Sequence, residues 1–107
     1  MRLQVKGRNI EVSPAIRAYA ETKLARLDKQ LAPETPVEVE LASEVKQSQH
    51  TAEAIVFAKG STLRATESSP DLRASIDRMV DNLERQIVKY REKRRQEPRR
   101  RAEHHGA

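Results

Sequence analysis

Two stretches of the sequence repeat apolar side chains every three or four residues, which is the spacing of one face of a helix. Each stretch follows a serine–proline pair, Ser13-Pro14 or Ser69-Pro70. These pairs are typical helix starts, because proline at the first helical position loses no hydrogen bond. A helix with a single apolar stripe must bury it against another layer, so two helices packed on a sheet are predicted. The stripes are Ile16, Ala20, Leu24, Leu27 and Leu31, ended by Pro33 and Pro36, and then Leu72, Ile76, Met79, Leu83, Ile87 and Tyr90.

The remaining segments alternate apolar and polar residues, which is typical of half-buried strands. Strands are predicted around Leu3 and Val5, from Val37 to about Lys46, over 51–59 and over 62–67, with Gly60-Ser61 as a tight turn. The short connections of the last three strands favour an antiparallel meander. The predicted fold class is therefore α+β in the order β-α-β-β-β-α, a four-stranded sheet with two helices packed on one face.

A chain of 107 residues is expected to form one domain. The longest apolar run without a charge, residues 54–58, is too short to span a bilayer, and no apolar stretch follows Met1. The sequence has no cysteine, which excludes disulfides and thiolate metal sites. We expect a cytoplasmic protein with no membrane partner.

The net charge of +5 is unevenly placed, because residues 1–88 contain equal numbers of basic and acidic side chains. The whole excess lies in residues 89–107. Apolar periodicity ends before Gln96, and Pro98-Arg99-Arg100-Arg101 offers nothing to pack. We predict a folded domain over 1–95 and a flexible basic tail, or the start of a linker, over 96–107.

Charges on the second helix separate by sign at 100° per residue. Arg78, Asn82, Arg85, Lys89 and Lys93 fall on one flank, and Asp77, Asp81 and Glu84 fall on the other. Lys23 and Arg26 lie beside the apolar stripe of the first helix. If the helices lie side by side, the basic stripes border one cationic groove. The alternative is an ordinary solvated surface with pairs such as Asp81–Arg85.

No reaction centre is evident, so the sequence predicts neither an enzyme, a cofactor, a small-molecule substrate nor a metal. The three glycines are far apart and form no phosphate loop, and no nucleophile has a partner base. His50 falls in a predicted loop, where a solvated side chain is the usual state. His104 and His105 lack further ligands at useful spacing.

The chain has only three aromatic side chains, Tyr19, Phe57 and Tyr90, and all are predicted on or near apolar stripes. Domains that hold single-stranded RNA by stacking need exposed aromatic side chains. If this chain binds RNA, phosphate contacts and shape recognition are the expected means.

Residues 1 to about 95 resemble the ribosome hibernation promoting factors, also called ribosome-associated translation inhibitors. The similar motifs occur in the family's order: Gly7-Arg8-Asn9-Ile10-Glu11-Val12, Pro14-Ala15-Ile16-Arg17, Lys23-Leu24-Ala25-Arg26-Leu27-Asp28-Lys29, Leu63-Arg64-Ala65-Thr66-Glu67-Ser68-Ser69, Asp71-Leu72, Ala74-Ser75-Ile76-Asp77 and Asn82-Leu83-Glu84-Arg85-Gln86-Ile87. Leu83-Glu84-Arg85-Gln86 before a basic helix end is the most specific.

The resemblance implies a fold similar in layout to double-stranded-RNA-binding domains with an extra first strand. It also implies binding to ribosomal RNA of the small subunit, in the channel that holds the mRNA and the tRNAs of the A and P sites. Such binding blocks translation and preserves idle ribosomes under stress or in stationary phase.

The family's RNA-contacting positions match Lys23, Arg26, Arg85 and Lys89. On the second helix, Arg78 and Lys93 extend the flank that carries Arg85 and Lys89. Asn82 departs from the family, which often has lysine there. The chain is either a short form or the N-terminal domain of a long form.

Two other functions stay open at this point. One is a protein–protein adaptor that uses the outer sheet face with Glu38 and Glu40. The other is a nonspecific RNA-binding protein driven by the arginine-rich tail.

Overall fold

The structure is a computed structural model that describes the backbone of residues 1–106 and the side chains of residues 1–95. Its strands are β1 (Arg2–Arg8), β2 (Pro36–Glu44), β3 (Gln49–Ala58) and β4 (Ser61–Ser69), and its α-helices are α1 (Pro14–Leu24) and α2 (Leu72–Gly106). Short 3₁₀ helices follow α1 (Ala25–Gln30) and β2 (Val45–Gln47). The predicted order β-α-β-β-β-α is confirmed.

The four strands form one mixed sheet in the order β1-β2-β3-β4. β1 pairs with β2 in parallel, while β2, β3 and β4 form the predicted antiparallel meander. Val5, Val39, Ala54 and Ala65 are neighbours across the four strands, and all four are buried. The small side chains of this row, Ala54 on β3 and Ala65 on β4, let α2 approach that half of the sheet closely.

Both helices cover the same sheet face, as predicted. The apolar stripe of α2 is fully buried at Ile76, Met79, Leu83 and Ile87, and it packs in one cluster with the inward-facing residues of the strands. We call α1 and the 3₁₀ helix after it (14–30) the first helical segment, and its stripe joins that cluster through Ala20, Leu24 and Leu27. One sheet face is therefore left open, and the outer surface of the helices forms the opposite side of the domain.

The start of α1 follows the sequence prediction, since the Ser13 hydroxyl accepts a hydrogen bond from the Ile16 amide at 3.2 Å. The predicted continuation to Leu31 is wrong in its geometry, because the α-helix ends at Leu24 and a 3₁₀ helix follows. A three-residue turn keeps Leu24 and Leu27 on one side, so the spacing of three between them suits this tighter helix.

The start of α2 differs from the predicted serine cap. β4 runs on to Ser69, whose buried hydroxyl contacts the Ser75 hydroxyl at 2.8 Å. Asp71 is the cap instead: its carboxylate accepts from the Arg73 amide at 3.1 Å, and its carbonyl accepts from the Ser75 amide at 3.0 Å. The helix therefore begins after the aspartate.

The bounds of the other elements shift by a few residues. β2 ends at Glu44 rather than near Lys46, and Ser48 takes a left-handed conformation (φ 51°) before β3 begins at Gln49. α2 ends at Gly106. The predicted flexible tail at 96–107, like His104 and His105, lies outside the residues whose side chains are described.

Candidate nucleic-acid interface

The outward side of α2 carries a row of exposed cations, called here the α2 row: Arg78, Arg85, Lys89 and Lys93. The row lies opposite the buried stripe of the same helix, because its members fall about half a turn from Leu83 and Ile87. Within residues 1–95, no carboxylate oxygen lies within 4.0 Å of a cationic nitrogen of the row. These four charges are therefore available to an anionic partner.

Asn82 interrupts the row because its side chain is committed to the sheet. Its amide donates to the Glu67 carboxylate at 2.9 Å, and its carbonyl accepts from the Gln86 amide at 2.9 Å. Gln86 also donates to the backbone carbonyl of Arg64 on β4 at 2.7 Å. Asn82 therefore helps to hold α2 against β4. It does so at a position where the family resembled by the sequence often has lysine.

Lys23 and Arg26 of the first helical segment face the acidic flank of α2. Lys23 lies 3.8 Å from Asp77, and Arg26 lies 2.7 Å from Asp81 and 3.3 Å from Glu84. The expectation of one groove bordered by both basic stripes is therefore wrong. α1 packs on the side of α2 that carries the carboxylates, so the cations of the two helices are separated by a row of ion pairs.

Hydrogen bonds across this helix pair shift two pKa values. The Arg26 pKa is raised, chiefly by its hydrogen bond to Asp81. The Tyr19 hydroxyl donates to Asp77 at 2.7 Å, and this bond is the main cause of the raised pKa of Tyr19. Each bond favours the protonated form of its donor, which is the Arg26 guanidinium on the 3₁₀ helix and the Tyr19 hydroxyl on α1.

The open face of the sheet is mostly occupied by cross-strand polar pairs. Arg8 lies 3.5 Å from Glu40, and Glu53 lies 3.8 Å from Arg64 and accepts a hydrogen bond from Thr66 at 2.9 Å. Glu40, one of the two acids in the adaptor hypothesis, is therefore paired within the sheet.

One aromatic side chain departs from its predicted place. Phe57 is 42% exposed and points to the open face of the sheet, because the preceding residue Val56 points to the buried face. The prediction that Phe57 lies on or near an apolar stripe is therefore wrong. Tyr19 and Tyr90 are half-buried and hydrogen-bonded by their hydroxyls to Asp77 and to the Lys59 carbonyl. A lone exposed ring gives no platform on which successive bases could stack.

His50 also differs from its prediction as a solvated loop residue. It lies in β3, it is half-buried, and its Nδ1 is 2.9 Å from the Ser43 hydroxyl on β2. Its backbone carbonyl accepts from the Ser75 hydroxyl at 2.7 Å. These contacts fasten the start of β3 to β2 and to α2.

No three His, Asp or Glu side chains within residues 1–95 lie close enough together to hold a metal ion. No helix in the described part of the chain is both long and apolar enough to cross a membrane.

Sequence reasoning missed two basic residues, Lys59 and Arg94. They meet because α2 crosses the turn between β3 and β4, where the Arg94 guanidinium donates to the Lys59 carbonyl at 2.9 Å. The spacing of four between Tyr90 and Arg94 was the only local signal, and it does not reveal the partner on the turn.

Comparison with known proteins places these features in a family. Residues 3–95 match the family described as sigma 54 modulation protein / S30EA ribosomal protein. The chain belongs to this family. The resemblance found in the sequence motifs is thereby confirmed.

Its relatives include proteins of two lengths. The chain is 38% identical over 97 residues to a ribosome hibernation promotion factor of Picosynechococcus, covering 87% of this chain and 50% of that protein. It is 31% identical over 96 residues to the ribosome hibernation promoting factor of Escherichia coli K12, covering 90% of this chain and 99% of the relative. The chain thus spans about half the length of the first relative and nearly all of the second.

Two solved structures share the fold. The N-terminal domain of Protein Y from Thermus thermophilus is 41% identical, with a TM-score of 0.75 over 84% of this chain and 99% of that one. A ribosomal subunit interface protein from Coxiella burnetii is 28% identical, with a TM-score of 0.73 over 85% of this chain and 98% of that one.

Proposed function

We propose that this chain is a ribosome hibernation factor. In this proposal it binds ribosomal RNA of the small subunit in the mRNA and tRNA channel, blocks translation by excluding tRNA from the A and P sites, and preserves idle ribosomes. It acts by binding and not by catalysis, and the ribosome is its cytoplasmic partner. The names of the family relatives support the ribosome-associated role.

The α2 row is the observation that carries the proposal. From Arg78 to Lys93 the helix rises by about 22 Å at 1.5 Å per residue. Four cations without carboxylate partners among residues 1–95 are therefore spread over a length that suits several phosphates of a nucleic-acid backbone. Phosphate contacts of this kind give affinity and orientation, while shape supplies the specificity.

A catalytic role has less support. The Ser43–His50 pair joins a hydroxyl to an imidazole at 2.9 Å, but it is a cross-strand contact, and no described hydrogen bond joins a carboxylate to the ring. A triad needs such a group to orient the base.

The experiment is sedimentation of the full chain with purified small subunits, with large subunits and with an unrelated structured RNA. The proposal expects saturable binding to the small subunit near one copy each, and loss of the bound protein as tRNA is added. Binding to any RNA without a plateau would instead indicate a nonspecific basic protein. Absence of binding to all three would favour an adaptor that uses the sheet face.

A further inference from the structure

A cleft lies between the β3–β4 turn and α2, and it is called here the turn cleft. Its volume is about 160 Å³, and it is formed by Lys59, Gly60, Ser61, Tyr90, Lys93 and Arg94. Only Lys93 among these residues belongs to the α2 row. The cleft therefore adjoins the C-terminal end of the described row and extends it towards the sheet.

The walls of the turn cleft are held together by contacts to a single carbonyl. The Lys59 carbonyl accepts hydrogen bonds from the Tyr90 hydroxyl and from Arg94 Nη1, the latter at 2.9 Å. Gly60 has a φ of 77°, a left-handed conformation that glycine adopts without strain and that lets the chain reverse here. The Arg94 guanidinium also lies 5.6 Å from the centre of the Tyr90 ring. The turn and the helix are thus fastened to each other.

The turn cleft carries three positive charges. Lys59, Lys93 and Arg94 all contribute to its lining, which contains no acidic residue. Within residues 1–95 none of the three has a carboxylate oxygen within 4.0 Å. Lys23 and Arg26 differ in this respect, since each is paired with acids of α2. The electrostatic potential of the cleft therefore favours an anion.

Chemistry restricts which anion fits. The cleft is partly open to solvent, and its volume of about 160 Å³ leaves room for a phosphate group. The guanidinium of Arg94 uses Nη1 on the Lys59 carbonyl, and its other N–H groups match the oxygen pairs of a phosphate. The Arg94 guanidinium lies 5.6 Å from the centre of the Tyr90 ring, so it competes with a base for that face of the ring.

We propose that the turn cleft binds a phosphate group. Its expected source is a backbone phosphate of the RNA that follows the α2 row, and this assignment of the source rests on the proposed function. A free phosphate compound has the same chemistry, so the two sources are separated by experiment.

The first measurement uses no ribosome. Inorganic phosphate is added to the ¹⁵N-labelled full chain, with sodium chloride of matched ionic strength as the control. The proposal expects saturable shifts of the Gly60 and Ser61 amide signals with phosphate alone. Lys59→Gln, which keeps the carbonyl contacts of the turn, weakens this binding severalfold, whereas Lys46→Gln at an exposed distant site does not. Shifts that do not saturate, or that are equal in both variants, would overturn the phosphate site.

The second measurement identifies the source. Each phosphate contact contributes about 0.7–0.9 to the slope of log affinity against log salt concentration. If an RNA phosphate occupies the cleft, Lys59→Gln should make the salt dependence of small-subunit binding less steep by about that amount. An unchanged slope would overturn the RNA source and assign the cleft to a free phosphate compound. If the parent protein does not bind the small subunit, the proposed function fails, while the result with inorganic phosphate still decides whether the cleft is a phosphate site.

Discussion

Replacing Asp81 by asparagine tests whether the ion pairs between the helices restrain the cations of the first helical segment. Arg26 contacts Asp81 at 2.7 Å and Glu84 at 3.3 Å, and its raised pKa has the Asp81 hydrogen bond as its main cause. If Arg26 binds an RNA phosphate, as the family resemblance implies, it must leave at least one of these carboxylates. Asp81→Asn removes the charge of the nearer one with little change in shape.

The expected magnitude follows from the exposure of the pair. The Arg26 and Asp81 side chains are 47% and 57% exposed, so the pair contributes only about 0.2–1 kcal/mol to stability. Asp81→Asn is expected to lower the free energy of unfolding by this amount. In the parent protein, breaking the Arg26–Asp81 pair costs this free energy when Arg26 moves to a phosphate. The variant has no such cost, so its affinity for the small subunit should be higher by up to about fivefold.

The assay is a titration of labelled protein with small subunits at low and moderate salt, together with a thermal melt. Glu44→Gln is the matched control, because it removes one exposed carboxylate on β2 that has no described ion pair. A variant that melts slightly earlier yet binds more tightly than the control supports the reasoning. Binding equal to that of the control, or weaker, would refute the competition and would leave Arg26 as a link between the helices only.

Three further outcomes are expected. Leu83→Ala should lower the free energy of unfolding by about 2–5 kcal/mol because Leu83 is fully buried, and a variant that melts like the parent would contradict its place in the core. The hydrogen bond to Asp77 raises the Tyr19 pKa above 10.0, so its contribution to stability is complete below pH 10 and is lost as pH rises through the folded-state pKa. Asp77→Asn should therefore lower the Tyr19 pKa followed by NMR, and an unchanged value would refute this cause. Asn82→Lys should tighten small-subunit binding and steepen the fall of log affinity with log salt concentration. An unchanged slope would show that Glu67 neutralises the new charge.

Much of the fold could be predicted because its signals are local. The cap of α1 depends on Ser13 and the residues just after it, and the buried stripe of α2 follows from spacing alone. The cap of α2 could not be predicted in this way. Ser69 is drawn into β4 and its hydroxyl bonds to Ser75, so Asp71 takes the capping role.

The candidate site was predicted in part for a related reason. The separation of signs on α2 follows from 100° per residue, so the members of the α2 row could be named from the sequence. Which flank faces α1 depends on how the helices pack on the sheet, and spacing does not contain this information. The structure places Asp81 and not Arg85 beside Arg26. The contact of Arg94 with Lys59 joins residues 35 positions apart and has no local signal that names the partner.

Reversing two charges of the α2 row tests the central claim most directly. The row variant carries both Arg85→Glu and Lys89→Glu. The control variant carries both Lys29→Glu and Lys46→Glu, which make the same change of net charge at exposed positions away from the row. Exposed charge changes usually alter stability by less than about 0.5 kcal/mol each, so all three proteins should melt alike.

Small-subunit binding and inhibition of translation are then measured for the three proteins across a salt series. The α2 row variant is predicted to lose both activities, while the control variant keeps them at moderate salt. A row variant that is folded and still inhibits translation as well as the control would contradict the account.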